Sequence, residues 1–574
     1  MGQAVVTETG FGRARGAREV SPPRAGVALW VHGAAAAAYV VATWLTRPHF
    51  MGDTVFYAEE IQTRGRAIWE FGHLLWRPLG KLFGRAAAPL LGSFAGGDER
   101  AQLTLALAVL GWLFGLMCVV LTVALLGRVC RRAWVVLVVA VAFILSHGFL
   151  NFSQTGCSYV PGLAFLLLGL YLLARDDGRS QGAWLTCALA AAAFALSLGF
   201  WFLYLWALPA ALALPLFLRG FDRRGLRLAS QTAALAGALT LLLFAAAMIF
   251  GRGYTSLAEA RHWITEAGHG ATTSGVLRML FGLARSFVNM GNDGVVFKRF
   301  LVKDPLNPVP LAELFRLSLW KLGLFYAALA AVSLNLARTP RGRRLLAFAA
   351  ATFAPLLAFA ALWQGGDIER YLPLYPALFL ALAAALDSER SSRAPNAVAL
   401  LFVVASAAAS VNVMGAPAMS RQEERVMSRI RELEPRLKPE STVAVVHQQD
   451  ELWRANYSFP FNPTFRRYAL LSYAVAATGT EETPRWRANF AAHADAVWRR
   501  GGDVWVSKRL TAARPLPEWN WVEGGSPVRW EDLRSFFSRL EAADSVGGED
   551  GFLLLARTPR NEETLRAAAS AADD

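Results

Sequence analysis

The stretch LTLALAVLGWLFGLMCVVLTVALL, from Leu103 to Leu126, carries no charged residue. A helix of about 20 apolar residues crosses the core of a bilayer, and lipid leaves backbone polar groups no partner outside their own helix. Apolar blocks of similar character occupy 228–250, 345–363 and 397–413. Because 55% of the 574 residues are hydrophobic, the sequence predicts a polytopic α-helical membrane protein.

About eleven transmembrane helices are predicted. The block 183–218 is continuous as sequence, but a single helix of that length would be much longer than a bilayer core of about 30 Å. A hairpin near Leu198 and Gly199 is therefore expected. The predicted spans are 27–45, 102–127, 133–151, 159–174, 183–199, 200–218, 228–250, 315–337, 345–363, 371–386 and 395–415.

The arginines predict the orientation of these spans, because basic residues collect on the cytoplasmic side. They cluster in 1–26 and in the turns at 128–132, 219–227, 338–344 and 390–393. The basic N-terminus is then cytoplasmic, and its first span is too long for a cleaved signal peptide. The domain 27–415 would sit in the cytoplasmic (inner) membrane as a multi-pass unit. Its loops 46–100 and 251–313, and the soluble part 416–574, would face outward.

The C-terminal part predicts a small extracytoplasmic α/β domain. Strand patterns at 441–446, 503–507 and 552–557 alternate with helical stretches, and a first helix carries one apolar stripe. This part lacks a glycine-rich phosphate loop and a nucleophile elbow. We therefore assign it no chemistry of its own.

Charge and cysteine usage exclude other classes of protein. The formal net charge is +15, but the residues after Pro417 include 22 basic and 23 acidic ones, so the excess lies in the membrane part. This distribution argues against nucleic acid as a partner. The four cysteines precede residue 200 without metal-ligand spacing, and His262 and His269 have no carboxylate at metal spacing.

The stretch PHFMGDTVFYAEE, which follows the first span, carries the first candidate for chemistry. A carboxylate at Asp53 could accept a proton from an acceptor hydroxyl, and nearby cations could hold a phosphate leaving group. The alternative is that Asp53 only caps the helix that begins at Thr54. The polar residues downstream that would bind substrate are Glu59, His73, Arg77 and Lys81, in helices expected either to lie in the membrane interface or to pack as ordinary loop helices.

The stretch WQGGDIERYLPLYPALFL, from Trp363 to Leu380, carries the second candidate. Arg370 could meet a lipid phosphate where the next span enters the bilayer. The alternative is that Arg370 and Tyr371 are interfacial anchors. Asp367 and Glu369 are expected to pair with Arg370.

Together these features resemble the GT-C superfamily of membrane glycosyltransferases, which includes protein O-mannosyltransferases, aminoarabinose transferases of lipid A and other enzymes that use polyprenyl-phosphate sugars. The motifs behind the resemblance are GDTVFYAEE after the first span, the helices of the first loop, the ERYLPLYPAL turn and the soluble tail. The resemblance implies that Asp53 is the catalytic base and that Arg77 and Arg370 bind the donor phosphate. Many relatives carry another acid in the turn after the third span, but here that turn reads HGFLNFSQTGCSYV. No bound metal and no cofactor are expected.

The leading hypothesis is an inverting transfer of one sugar from a lipid-phosphate donor to a glycan, lipid or protein acceptor outside the membrane. A transporter or flippase is the alternative from another class, although no internal repeat is evident and charges inside the spans are nearly absent, with Lys321 near a span end. A non-catalytic envelope assembly protein is a third reading.

Overall fold

The computed structural model describes residues 28–94, 99–175, 183–266, 275–291, 296–297, 300, 308–388, 393–438, 440–445, 472–474, 486–513 and 530–570. The basic N-terminus 1–26 and parts of the loop 251–313, among them His269, lie outside these residues. The described part is mainly helical, with one small sheet near the C-terminus.

Each of the eleven predicted spans coincides with helical structure. Five helical segments are long and apolar enough to cross a membrane: Glu99–Val129, Arg223–Arg252, Leu311–Ala337, Pro340–Leu362 and Arg393–Met414. Shorter apolar helices account for other predicted spans, namely Leu29–Leu45, Ala133–Leu145, Tyr159–Arg175, Ala183–Phe200 and Tyr375–Asp387. The chain is a multi-pass membrane protein.

The predicted sixth span is broken rather than continuous. The preceding helix ends at Phe200, and Trp201 has an extended backbone, close to the predicted hairpin. A 3-10 turn Phe202–Trp206 and the short helices Leu208–Leu212 and Leu214–Arg219 follow. Pro209 and Pro215 stand near the starts of these two helices because proline cannot donate a hydrogen bond inside a longer one.

The first loop contains two helices, Thr54–Thr63 and Trp76–Leu91. A buried apolar cluster holds them against the helix Glu99–Val129 through Tyr57, Ile61, Trp76, Leu103 and Leu107. The second helix approaches closely because it carries glycine at two contact positions: a Cβ at Gly80 would lie 2.5 Å from the Leu107 side chain, and one at Gly84 equally close to Leu103. Its other face leaves Leu82 and Leu90 exposed, as a helix at a membrane interface would.

The C-terminal part contains a five-stranded sheet, three strands of which the sequence patterns predict. Its strands are β1 Thr442–Val445, β2 Ser472–Ala474, β3 Val504–Ser507, β4 Ala542–Val546 and β5 Phe552–Leu555, in the order β2-β1-β3-β5-β4. Strand β1 is parallel to β2 and β3, and β5 is antiparallel to β3 and β4. The sequence patterns miss β2 and β4, since both are edge strands with few β-branched or aromatic residues.

Helices cover this sheet. The helices Trp486–Arg499, Trp530–Phe537 and Pro559–Ser570 contribute to one apolar cluster with it. Ala416–Ile430 contributes to another, in which the predicted apolar stripe Val426, Ile430, Leu433 and Leu437 is buried. Because Ala416–Ile430 begins directly after the last span, the two parts of the chain meet there. The backbone N–H of Arg47 donates to the carbonyl of Met414 at 2.8 Å.

Candidate active site

Asp53 stands immediately before the helix Thr54–Thr63, but its side chain does not cap that helix. Its oxygen Oδ2 instead accepts hydrogen bonds from two phenols, Tyr159 at 2.7 Å and Tyr57 at 3.3 Å. No described residue is hydrogen-bonded to the other oxygen, Oδ1. The carboxylate is thus held by one oxygen and offers the other.

A single buried amide shapes the segment that leads to Asp53. Asn151 accepts from the backbone N–H groups of His49 at 2.8 Å and Phe50 at 3.1 Å, and its own Nδ2 donates to the Phe50 carbonyl at 2.8 Å. These three bonds satisfy backbone groups that have no helical partner. The segment then turns at Gly52, where φ is +57° and a Cβ would lie 2.6 Å from Cys157 Sγ.

Tyr57, Tyr159 and His73 form the wall of the site. The ring of His73 lies 5.6 Å from that of Tyr57 and 6.1 Å from that of Tyr159. Its Nδ1 is 2.6 Å from the Ser158 hydroxyl. Burial, with the charge of Asp53 next in importance, raises the pKa of Tyr57 well above its usual value. Tyr57 therefore stays a protonated hydrogen-bond donor to Asp53.

Arg77 is buried in an ion-pair network next to this wall. Its guanidinium is paired with Glu60 and Glu70 and lies over the Tyr57 ring at 4.6 Å. Only 2% of the Arg77 side chain is exposed. Burial acts to lower the pKa of Arg77, but Glu70, Tyr57 and Glu60 outweigh it and raise that pKa. The phosphate-binding role of Arg77 stays a prediction, while its contacts favour holding the first-loop helices.

Two other predicted residues of the first loop lie nearby. Glu59 is exposed on the helix Thr54–Thr63 and pairs with Arg100 at 3.5 Å. Lys81 is half-buried on the helix Trp76–Leu91, one turn beyond Arg77. The substrate-binding roles of Glu59 and Lys81 stay predictions.

The second candidate stretch forms a tight turn around Arg370. The guanidinium lies 4.8 Å from the ring of Trp363, Nε is 3.4 Å from Asp367, and Nη2 donates to the side-chain oxygen of Gln364. The phenol of Tyr371 is buried and donates to the carbonyls of Met279 at 2.9 Å and Gly365 at 2.6 Å. These contacts make Tyr371 part of the support for the turn.

Glu369 connects the two candidate stretches. Burial, and then the charges of Asp367 and Asp53, raise the pKa of Glu369 to about 8, although Arg370 acts in the opposite direction. The 3-10 turn Glu369–Leu374 packs against the helix Tyr159–Arg175. The two candidate stretches are therefore linked through this helix, whose first residue, Tyr159, is hydrogen-bonded to Asp53.

Sequence reasoning missed Tyr159, Ser158 and Asn151, which come from the turn HGFLNFSQTGCSYV. It treated that turn only as a place where an acid is absent. The amide of Asn151 and the phenol of Tyr159 were the signal in this turn, because both side chains can form hydrogen bonds. Within the described residues no three His, Cys, Asp or Glu side chains group as metal ligands, and the expectation of a metal-independent reaction stays a prediction.

Fold and site define a multi-pass helical membrane protein with a carboxylate–phenol cluster at one end of its bundle and a C-terminal α/β domain. No protein-family model matches the chain, and no curated protein does.

Solved structures that are similar to this chain at low sequence identity include the following three. ArnT from Cupriavidus metallidurans, bound to undecaprenyl phosphate, is 14% identical with a TM-score of 0.49, over 92% of this chain and 98% of ArnT. The Archaeoglobus fulgidus oligosaccharyltransferase is 12% identical with a TM-score of 0.46, and the match covers 93% of this chain and 75% of the oligosaccharyltransferase. A chain of the S. cerevisiae protein O-mannosyltransferase Pmt1–Pmt2 complex is 16% identical with a TM-score of 0.30, and the match covers 46% of this chain and 38% of that one.

Proposed function

We propose that this protein is a membrane glycosyltransferase that moves one sugar, with inversion, from a lipid-phosphate donor to an acceptor hydroxyl outside the cytoplasmic membrane. The N-terminus would be cytoplasmic, and the site and the domain 416–574 would lie on the opposite side. The acceptor is a hydroxyl of a glycan, lipid or protein.

One observation carries the proposal: Asp53 is held through Oδ2 by two phenols while Oδ1 stays available. The carboxylate of a capping aspartate accepts hydrogen bonds from backbone N–H groups, whereas the Asp53 side chain makes no such cap hydrogen bond. A fixed carboxylate with one open oxygen is what a general base requires. Arg370 nearby supplies positive charge for a phosphate, and a guanidinium matches phosphate geometry.

The reaction would proceed in one displacement. Asp53 Oδ1 takes the proton of the acceptor hydroxyl as its oxygen forms a bond to the anomeric carbon. The bond from that carbon to the phosphate oxygen breaks on the opposite face, and the phosphate keeps the electron pair. Cations stabilise the charge that grows on the phosphate. Asp53 ends protonated and returns the proton to water.

The other predicted residues divide between the two substrates. Arg370 and Lys81 would bind the donor phosphate, with Tyr371 supporting the turn that carries Arg370. His73, with Ser158, would contact the acceptor, and Glu59 at the exposed rim would contact substrate that enters from water. Arg77 would keep the first-loop helices in place for both.

Mass spectrometry of lipids that co-purify with the full chain tests the proposal. We expect a polyprenyl phosphate or its sugar conjugate. When the isolated conjugate is added to the purified protein with membranes as acceptor source, free polyprenyl phosphate should appear at the rate at which sugar enters the acceptor. Movement of the intact conjugate across vesicles without its consumption would identify a flippase instead, and absence of any such lipid would favour an assembly protein.

A further inference from the structure

Gln364 holds a backbone conformation that side chains disfavour. Its φ is +49°, and in the part of the chain that the structure describes it is the one residue other than glycine with positive φ. Glutamine has no short polar side chain to compensate for this conformation, as asparagine and aspartate do. Such conformations persist where surrounding structure enforces them, and they concentrate at binding and catalytic sites.

The neighbours of Gln364 leave it no room to relax. A Cβ at Gly365 would lie 2.5 Å from the Ala360 carbonyl oxygen and 2.9 Å from the Met279 Cα atom. The Gly365 carbonyl also accepts a hydrogen bond from the phenol of Tyr371. Because these contacts fix the chain directly after Gln364, a change of its φ would displace packed backbone.

The strained residue is also the one that holds the guanidinium of Arg370. Oε1 of Gln364 accepts a hydrogen bond from Nη2 of Arg370, and the carboxylate of Asp367 pairs with Nε. The ring of Trp363 lies against one face of the guanidinium. Arg370 is only 9% exposed. No described residue is hydrogen-bonded to Nη1, so the turn fixes the orientation of the group and leaves one nitrogen to donate.

We propose that Gln364 is a positioning residue that aims Nη1 of Arg370 at the phosphate of the lipid donor. The inference rests on the phosphate-binding role proposed for Arg370. A neutral acceptor suits this task, because it orients the guanidinium without cancelling its charge. Without Gln364 the guanidinium would be held at Nε by Asp367 alone and could turn about that contact, so Nη1 would lose its fixed direction.

The experiment measures binding of undecaprenyl phosphate to the full chain in nanodiscs, with undecaprenol as the phosphate-free probe. The variants are Gln364→Gly, Gln364→Asn, Arg370→Gln and the double variant Q364G/R370Q. Glycine and asparagine both tolerate positive φ, but neither carries an acceptor to the distance that glutamine reaches. Gly366→Ala is the matched control, since a Cβ there meets nothing within 4 Å.

Both Gln364 variants should weaken binding of undecaprenyl phosphate roughly tenfold, the effect of one hydrogen bond to a charged group. Their melting temperatures should equal or exceed that of the parent, because strain is relieved. Undecaprenol binding should not change, and Gly366→Ala should behave as the parent. The double variant should bind no more weakly than Arg370→Gln alone, because both act on one group.

Three results would overturn the inference, and they are distinguishable. Unchanged binding in Arg370→Gln would remove Arg370 from the donor site and would reject that part of the proposed function as well. Weaker binding in Arg370→Gln with unchanged binding in both Gln364 variants would reject only the role of Gln364. A lower melting temperature with equal losses for undecaprenyl phosphate and undecaprenol would assign Gln364 to general stability.

Discussion

The phenol oxygen of Tyr159 lies 2.7 Å from Oδ2 of Asp53, whereas that of Tyr57 lies 3.3 Å from the same atom. Tyr159 begins the helix Tyr159–Arg175, and Tyr57 lies in the helix that Asp53 precedes. The carboxylate is therefore fixed from two separate elements. The shorter bond comes from the element that is distant in sequence.

Tyr159→Phe should lower sugar transfer roughly tenfold, because a hydrogen bond to a charged group is lost. Tyr57→Phe should have a smaller effect because its bond is longer. The measurement is the transfer rate of purified protein at saturating donor. Tyr326→Phe is the matched control, since it loses a bond of 2.7 Å to the Leu280 carbonyl and Tyr326 is not hydrogen-bonded to Asp53. A parental rate in Tyr159→Phe would show that the phenol does not position the base.

Arg77→Met should destabilise the protein by about 3–5 kcal/mol, because the Glu60 and Glu70 carboxylates would lose their buried ion pairs with Arg77. Thermal unfolding in detergent measures the effect. Arg64→Met is the control, since Arg64 pairs with Glu60 at 2.9 Å but is 48% exposed, and an exposed pair contributes at most about 1 kcal/mol. If Arg77→Met has the melting temperature of the parent and loses only donor affinity, Arg77 binds phosphate as the sequence resemblance implies.

Glu369 should make stability depend on pH in a defined window. Its pKa is raised from 4.5 to about 8 in the folded protein, so its neutral form stabilises the fold. That contribution is complete below pH 4.5 and is lost as pH rises towards 8. The melting temperature of Glu369→Gln minus that of the parent should therefore increase between pH 5 and pH 8. A constant difference across this range would mean that Glu369 does not titrate there.

The apolar blocks made the membrane helices predictable, because crossing lipid demands length and low charge within one segment. The cluster around Asp53 could not be predicted in the same way, since Asn151 and Tyr159 reach it only after distant segments pack together. Burial of Arg77 was likewise hidden, because Glu70 lies in a turn outside its helix. The sequence does place Asp367 beside Arg370, and the structure contains that pair. It could not reveal that a strained Gln364 also holds the guanidinium.

We predict the orientation in the membrane from the basic turns, and reporter fusions test it. Fusions after Leu45, Phe250 and Gly415 should report the outside, and those after Leu126, Arg224 and Arg341 should report the cytoplasm. The three fusion sites expected in the cytoplasm lie in or beside the turns that carry the arginine clusters. One reproducible inversion would break the eleven-span arrangement, and an inversion of the Leu45 fusion would place Asp53 on the cytoplasmic side.

The decisive prediction concerns Asp53→Asn. Asparagine keeps the size of the side chain and can still accept hydrogen bonds from Tyr57 and Tyr159, but it cannot take a proton at neutral pH. Loss of a general base should lower the transfer rate by about two to four powers of ten. The rate of donor consumption by the purified full chain measures this.

Asp222→Asn is the matched control, because Asp222 is a true helix cap whose side chain accepts from the N–H of Gly225 at 2.5 Å. Asparagine caps helices about as well as aspartate, so this variant should transfer sugar and unfold as the parent does. Asp53→Asn should match it in insertion and melting temperature while losing catalysis. If both variants transfer sugar at the parental rate, Asp53 is not the base, and the carboxylate–phenol cluster must serve the fold alone.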